Sequence, residues 1–104
     1  MGQMKYTPVS KDGVLKNISA YDYLIVVGGQ DAIYYAKSLN EARAFAINGT
    51  MKTDVDVADI RNNSNGKYVG RVVRSRTRWG FRFVWYTGDD KIPLNPDGTL
   101  KRRS

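Results

Sequence analysis

The sequence predicts a small α+β domain, in which one helix packs on a mostly antiparallel sheet of four to six strands in the order ββαβββ. Three observations predict this fold. Short segments rich in β-branched and aromatic residues recur along the chain. A single segment carries apolar residues at helical spacing behind a helix-capping residue. The length of 104 residues suffices for one hydrophobic core, so we expect one domain spanning residues 1–104.

The first 20 residues show no sustained periodicity. Pro8 and the turn signal at Asp12-Gly13 interrupt them. We therefore expect residues 1–20 to form a loosely ordered N-terminal arm with at most one short strand, near Val14–Ile18.

The first predicted hairpin joins two apolar segments. Residues 21–27 favour a strand, and residues 32–37 favour its partner. Gly28 and Gly29 between them allow a tight reversal of the chain. A phosphate-binding loop would need further glycines or a Gly-Lys-Ser/Thr sequence here, and neither follows, so we interpret the glycine pair as a turn.

The helix signal is the clearest in the chain. Ser38 is a natural N-cap, and Glu41 three residues later completes a capping box. Apolar residues from Leu39 onward recur at helical spacing. Gly49 is suited to the left-handed position after a helix. These signals predict a helix from about Leu39 to Asn48 that must be held by packing on the sheet, since about ten residues are too few to be helical alone.

Three further strands are predicted after the helix. Residues 53–61 alternate acidic and apolar side chains, and Asn65-Gly66 is a strong hairpin signal that joins them to a partner strand at 67–76. Residues 77–86 favour the next strand. A Pro-Asp-Gly turn at 96–98 closes a last small hairpin, and residues 101–104 form a basic tail.

Charge is distributed unevenly. The net charge is +7. Residues 1–60 hold six Lys/Arg and seven Asp/Glu, whereas residues 61–104 hold eleven Lys/Arg and three Asp. Seven basic residues and no acidic ones lie between Arg61 and Arg82. Asymmetry of this kind indicates a polyanionic partner, although a solvated basic face kept for solubility is the alternative.

Arginine dominates this basic segment, and its planar guanidinium binds phosphate with two parallel hydrogen bonds. Arg74, Arg76 and Arg78 alternate, so we expect them to project from one side of an extended segment. In the alternative, these arginines pair with Asp54, Asp56 and Asp59 of the neighbouring strand. The predicted nucleic-acid-binding residues are Arg61, Lys67, Arg71, Arg74, Arg76, Arg78, Arg82 and Tyr86, with the tail from Lys101 assisting.

Aromatic residues follow the arginines. Trp79, Phe81, Phe83 and Trp85 share one predicted strand face, which we expect to be mainly core, with a base-stacking surface as the alternative. Residues 79–86 resemble the first ribonucleoprotein motif of the RNA recognition motif family. Trp79 and Arg82 depart from that motif, and the 18 residues after Tyr86 leave no room for the second helix, so we carry nothing over from the family.

The chain lacks residues that several classes of function require. The chain has no cysteine and no histidine, which removes thiolate chemistry and the commonest general base and metal ligand. We expect no enzymatic activity, no metal and no cofactor. No apolar stretch is long enough to span a membrane, and the first residues lack the apolar segment of a signal peptide, which predicts a cytoplasmic protein.

The sequence thus predicts a small non-enzymatic nucleic-acid-binding protein that applies an arginine-rich β-hairpin to the phosphate backbone. The charge pattern favours neither DNA nor RNA and leaves the oligomeric state open. The alternative is a small inhibitor or adaptor, of the kind that phages encode, whose basic face docks on an acidic surface of a host nucleic-acid enzyme or defence protein.

Overall fold

The structure is a computed structural model that describes residues 7–10, 13–14, 20–28 and 32–101. One helix, α1 (Leu39–Thr53), lies on one face of a sheet. The strands in chain order are β1 (Thr7–Ser10), β2 (Gly13–Val14), β3 (Tyr23–Val27), β4 (Ala32–Ala36), β5 (Val57–Asn62), β6 (Tyr68–Thr77), β7 (Gly80–Thr87) and β8 (Asp90–Leu94).

The strand order across the sheet is β2-β1-β4-β3-β5-β6-β7-β8. In sheet order, the six strands β4, β3, β5, β6, β7 and β8 are each antiparallel to their neighbours within this set. Helix α1 follows β4 in the chain. This confirms the predicted α+β fold. The two short strands extend the sheet beyond β4, to which β1 pairs in parallel. Apart from Val14, the short strand expected at 14–18 lies outside the described residues.

The helix begins as predicted and ends later. The Ser38 hydroxyl accepts a hydrogen bond from the Glu41 backbone N–H at 3.1 Å, which confirms the N-cap. The predicted end at Asn48-Gly49 is wrong, because α1 continues to Thr53 and Asp54 takes the left-handed position at φ 57°. Residues 54–56 consequently link the helix to β5 instead of starting the strand.

Gly49 serves helix packing and not helix termination. A Cβ atom at Gly49 would lie 2.7 Å from Val27 Cγ2 and 3.1 Å from Tyr34 Cε2, closer than carbon atoms pack. The helix therefore approaches β3 and β4 closely at this turn. A glycine that is needed because a helix packs closely on a sheet cannot be distinguished in the sequence from one that is needed for a positive φ.

The core lies between α1 and the sheet. The register places Ile25, Ala58, Ile60 and Val72 side by side on the helix-facing side, and all four are buried. Phe83 and Trp85 continue this face on β7 and are 8% and 4% exposed, which confirms the prediction that these rings are core.

The other two rings of the predicted face, those of Phe81 and Trp79, are not fully buried. Phe81 is half-buried beside the core. Trp79 does not lie on the strand face at all, because Thr77 pairs with Gly80 and leaves Arg78 and Trp79 as the turn between β6 and β7. The expectation that Trp79 belongs to the core is therefore wrong.

Both predicted turns near the ends of the later strands are present. The chain reverses at Asn65-Gly66, where Gly66 has φ 74°, and the hairpin of β5 and β6 is confirmed. After β8 the turn at 95–99 brings Leu100 back to Leu94, which confirms the last small hairpin. No helix in the described part of the chain is long and apolar enough to cross a bilayer.

Candidate nucleic-acid interface

The predicted binding residues fall into groups that differ in their pairing, and Arg74 is the most constrained. Its side chain is 5% exposed. Nη2 lies 2.8 Å from Asp54 Oδ1 and 2.9 Å from Asp56 Oδ1, and Nη1 donates a hydrogen bond to the Thr50 carbonyl at 3.3 Å. Arg74 thus fastens the end of α1 to β6, and the alternative prediction of pairing with Asp54 and Asp56 is confirmed.

The charges of this cluster stabilise one another. The hydrogen bond to Asp54 raises the pKa of Arg74. The hydrogen bond from Arg74 lowers the pKa of Asp54, and the nearby charge of Arg76 lowers it further. Two carboxylates face one buried guanidinium, so the cluster adds a charge of −1 on the helix side of the hairpin.

A second group lies towards the other end of β6. Arg71 Nε lies 3.1 Å from Asp59 Oδ1 at a half-exposed position, which confirms pairing here too. Arg61 Nη1 donates a hydrogen bond to the Gly66 carbonyl at 2.9 Å, beside the turn that exposes Lys67. Since β6 has ten residues, about 30 Å separate this turn from the turn between β6 and β7. The predicted residues do not form one compact patch.

The turn between β6 and β7 exposes a different set of side chains. Arg78 and Trp79 are exposed, and the Trp79 side chain is the most open large apolar group described, at 89%. Arg76 is also exposed, but it lies on β6 on the same side as Arg74, with its guanidinium 5.0 Å from the centre of the Phe81 ring. The Trp79 backbone N–H donates a hydrogen bond to Thr77 Oγ1 at 3.2 Å, and Gly80 follows at φ 139°, where a residue with a side chain would be strained. The backbone of this turn is thus defined without any contribution from the indole ring.

A groove of about 770 Å³ begins at this turn and crosses the last strands. Part of its wall is formed by alternate side chains on the sheet face away from α1. On this face Ser75 of β6 pairs with Arg82 of β7, and Tyr86 of β7 pairs with Lys91 of β8. β8 pairs with β7 only from Phe83 to Thr87, so the groove opens where β8 ends. Its lining residues are Ser75, Thr77, Trp79, Phe81, Arg82, Phe83, Val84, Tyr86, Lys91, Pro93, Leu94, Pro96 and Lys101.

The composition of this lining determines what the groove can bind. It contains three cations, Arg82, Lys91 and Lys101, and no acidic side chain. Trp79 and Tyr86 add polarisable rings between them. Cations without counter-charges bind phosphate, and rings provide flat surfaces for stacking. Among the described residues, no three His, Cys, Asp or Glu side chains are grouped as a metal site.

The sequence identified part of this groove. Arg82 and Tyr86 were predicted binding residues, and Lys101 belonged to the predicted tail. Lys91 was not among the predicted binding residues, and Trp79 was considered only as part of a face that is either core or base-stacking. The signal for Trp79 was Gly80, which marks a turn inside what otherwise looks like one aromatic strand. The signal for Lys91 was its alternation with Pro93, which places both on one face of a strand.

A comparison with known proteins finds no matching family, no matching curated protein and no matching solved structure.

Proposed function

We propose that this protein is a small, non-enzymatic nucleic-acid-binding protein of the cytoplasm. The observation that carries the proposal is the groove over β7 and β8, whose lining holds Arg82, Lys91 and Lys101 and no acidic residue. Arg78 is exposed at the adjacent turn and extends the basic surface.

The ion pairs of the other arginines narrow the proposed phosphate contacts to the groove and its adjacent turn. Arg74 and Arg71 are matched with carboxylates, whereas no ion pair to a carboxylate is found for the groove cations among the described residues. An unmatched cation releases counterions when it meets a phosphate, and this release supplies most of the affinity of such proteins. If Arg78 and the three groove cations contact phosphates, log affinity should fall against log salt with a slope of roughly −2.8 to −3.6.

The test compares two charge-matched double variants. Lys91→Ala/Lys101→Ala removes two groove lysines, and Lys37→Ala/Lys52→Ala removes two exposed lysines elsewhere. Affinity for a fluorescent oligonucleotide is measured by anisotropy across a salt series. The groove variant should flatten the slope by about 1.4–1.8, because each lost phosphate contact contributes about 0.7–0.9. The control variant should leave the slope nearly unchanged.

Two results would contradict the proposal. The first is equal loss of slope in both variants, since that would reflect net charge and not a site. The second is no measurable affinity for any nucleic acid at ~100 mM salt together with a stoichiometric, nuclease-resistant complex with one host protein. That result would favour the inhibitor or adaptor, because docking of folded surfaces needs no phosphate.

A further inference from the structure

We infer that the groove binds a single nucleic-acid strand, with one base stacked on the indole of Trp79. The inference rests on the proposed function and adds the form of the ligand. It starts from the position of Trp79, which lines the groove at the turn between β6 and β7 and is 89% exposed. A tryptophan can bury about 150–250 Å² of surface, so an exposed one leaves a large stacking area unused by the fold.

The fold does not require this ring. The turn that carries it is held by the hydrogen bond from the Trp79 backbone N–H to Thr77 Oγ1 and by the glycine at position 80. The core tryptophan is Trp85, which is 4% exposed and lies under the Arg43 guanidinium, 5.4 Å from its ring. The structure therefore assigns packing to Trp85 and leaves Trp79 for a ligand.

The alternation of rings and cations selects a single strand over a duplex. Along β7 from the turn, the groove presents Trp79, then Arg82, then Tyr86, which pairs with Lys91. Lys101, whose backbone N–H donates a hydrogen bond to the Pro93 carbonyl, adds a third cation. A duplex exposes its phosphates but keeps its bases stacked on one another, so it has nothing to place on the rings. A single strand exposes bases and phosphates together, and proteins that bind it combine these two kinds of contact.

The carboxylates on the helix side of the hairpin favour binding of a phosphate chain on the opposite face, where the groove lies. The Asp54 and Asp56 carboxylates next to Arg74 are 83% and 69% exposed, and together they outweigh that guanidinium. A phosphate chain passing the hairpin on that side would meet these two exposed carboxylates, and the nearby Arg76 only balances them. The groove lining holds three cations and no carboxylate, so a single strand is directed across β7 and β8.

Tryptophan fluorescence tests this inference directly, because the chain has two tryptophans and only Trp79 is exposed. Intrinsic fluorescence is recorded while the full chain is titrated with a thymidine oligonucleotide of about 12 residues, within the range of ~4–16 that one such domain covers, and with the matched duplex. We expect quenching by the single strand. In Trp79→Leu we expect the quenching to disappear and single-strand affinity to fall by roughly 5- to 150-fold, as for loss of one stacked base.

Tyr68→Leu is the matched control, since Tyr68 is also exposed but lies outside the groove. It should keep both quenching and affinity, and all variants should melt like the parent. Unchanged single-strand affinity in Trp79→Leu, or a duplex that binds as tightly as the single strand, would overturn the inference. The proposed function would still stand if Lys91→Ala/Lys101→Ala flattened the salt slope. Absence of binding to any nucleic acid would overturn both.

Discussion

Replacing Gly49 with alanine tests how the helix is packed. Alanine is favoured over glycine inside a helix by about 1 kcal/mol. Its Cβ would lie 2.7 Å from Val27 Cγ2, and that methyl group cannot move easily because Val27 is fully buried and β-branched. Overpacking of this kind costs about 1–3 kcal/mol. The net result should be a loss of stability of up to about 2 kcal/mol, measured as a lower urea midpoint with an unchanged slope.

The same change in a Val27→Ala background separates the clash from every other effect. Removing the valine methyl groups leaves space for the new Cβ, and the Tyr34 ring at 3.1 Å needs to shift by only a few tenths of an ångström. Gly49→Ala should therefore become neutral or stabilising, by up to about 1 kcal/mol, in this background. The coupling between the two sites should be about 1–3 kcal/mol.

Equal effects of Gly49→Ala in both backgrounds would refute this reasoning. They would mean that the cost lies in the backbone, as expected if Gly49 occupied a left-handed position at the end of a shorter helix. Ala substitution at such a position would lower stability whatever residue stood at position 27.

Two further predictions concern the core and the acidic cluster. Phe83→Ala should cost about 3–5 kcal/mol because the ring is buried, whereas Trp79→Ala should change stability by less than about 0.5 kcal/mol, and thermal melts distinguish the two. Because Arg74 lowers the pKa of Asp54 in the folded state, this pair stabilises the fold above the unfolded carboxylate's pKa, and the contribution is lost as pH falls through the folded value. Asp54→Asn should therefore reduce the loss of stability on acidification below about pH 4, followed by urea unfolding at several pH values. An acid sensitivity identical to the parent's would contradict the second prediction.

Local signals were sufficient for most of the fold. The Ser38 cap, the Asn65-Gly66 turn and the period-two strands each depend on a few neighbouring residues, and all three are present in the structure. The end of the helix could not be predicted in this way. The predicted end rested on Gly49, and the role of Gly49 depends on its close approach to Val27, which lies more than twenty residues earlier in the chain.

The site was harder to predict than the fold, because charge in sequence is not charge on the surface. Arg74 belongs to the basic run from 61 to 82, yet it is buried between carboxylates from the helix end. Lys91 lies outside that run, yet antiparallel pairing of β8 with β7 brings it opposite Tyr86. Neither fact follows from spacing, since each requires the partner strand and its register to be known.

The distribution of exposed positive charge is therefore determined by strand pairing in the sheet and not by the basic run in the sequence. Hairpin pairing brings Asp59 opposite Arg71 and neutralises part of the run, whereas Lys91 of β8 and Lys101 after it add cations at the groove. A protein that bound polyanions through unspecific positive charge would gain nothing from this rearrangement, since net charge is unchanged by it. A protein that guides one strand along one path gains a direction, because cations without a carboxylate partner neutralise phosphates more effectively than cations already paired within the protein. The pairing pattern thus favours a defined groove over a diffuse electrostatic face.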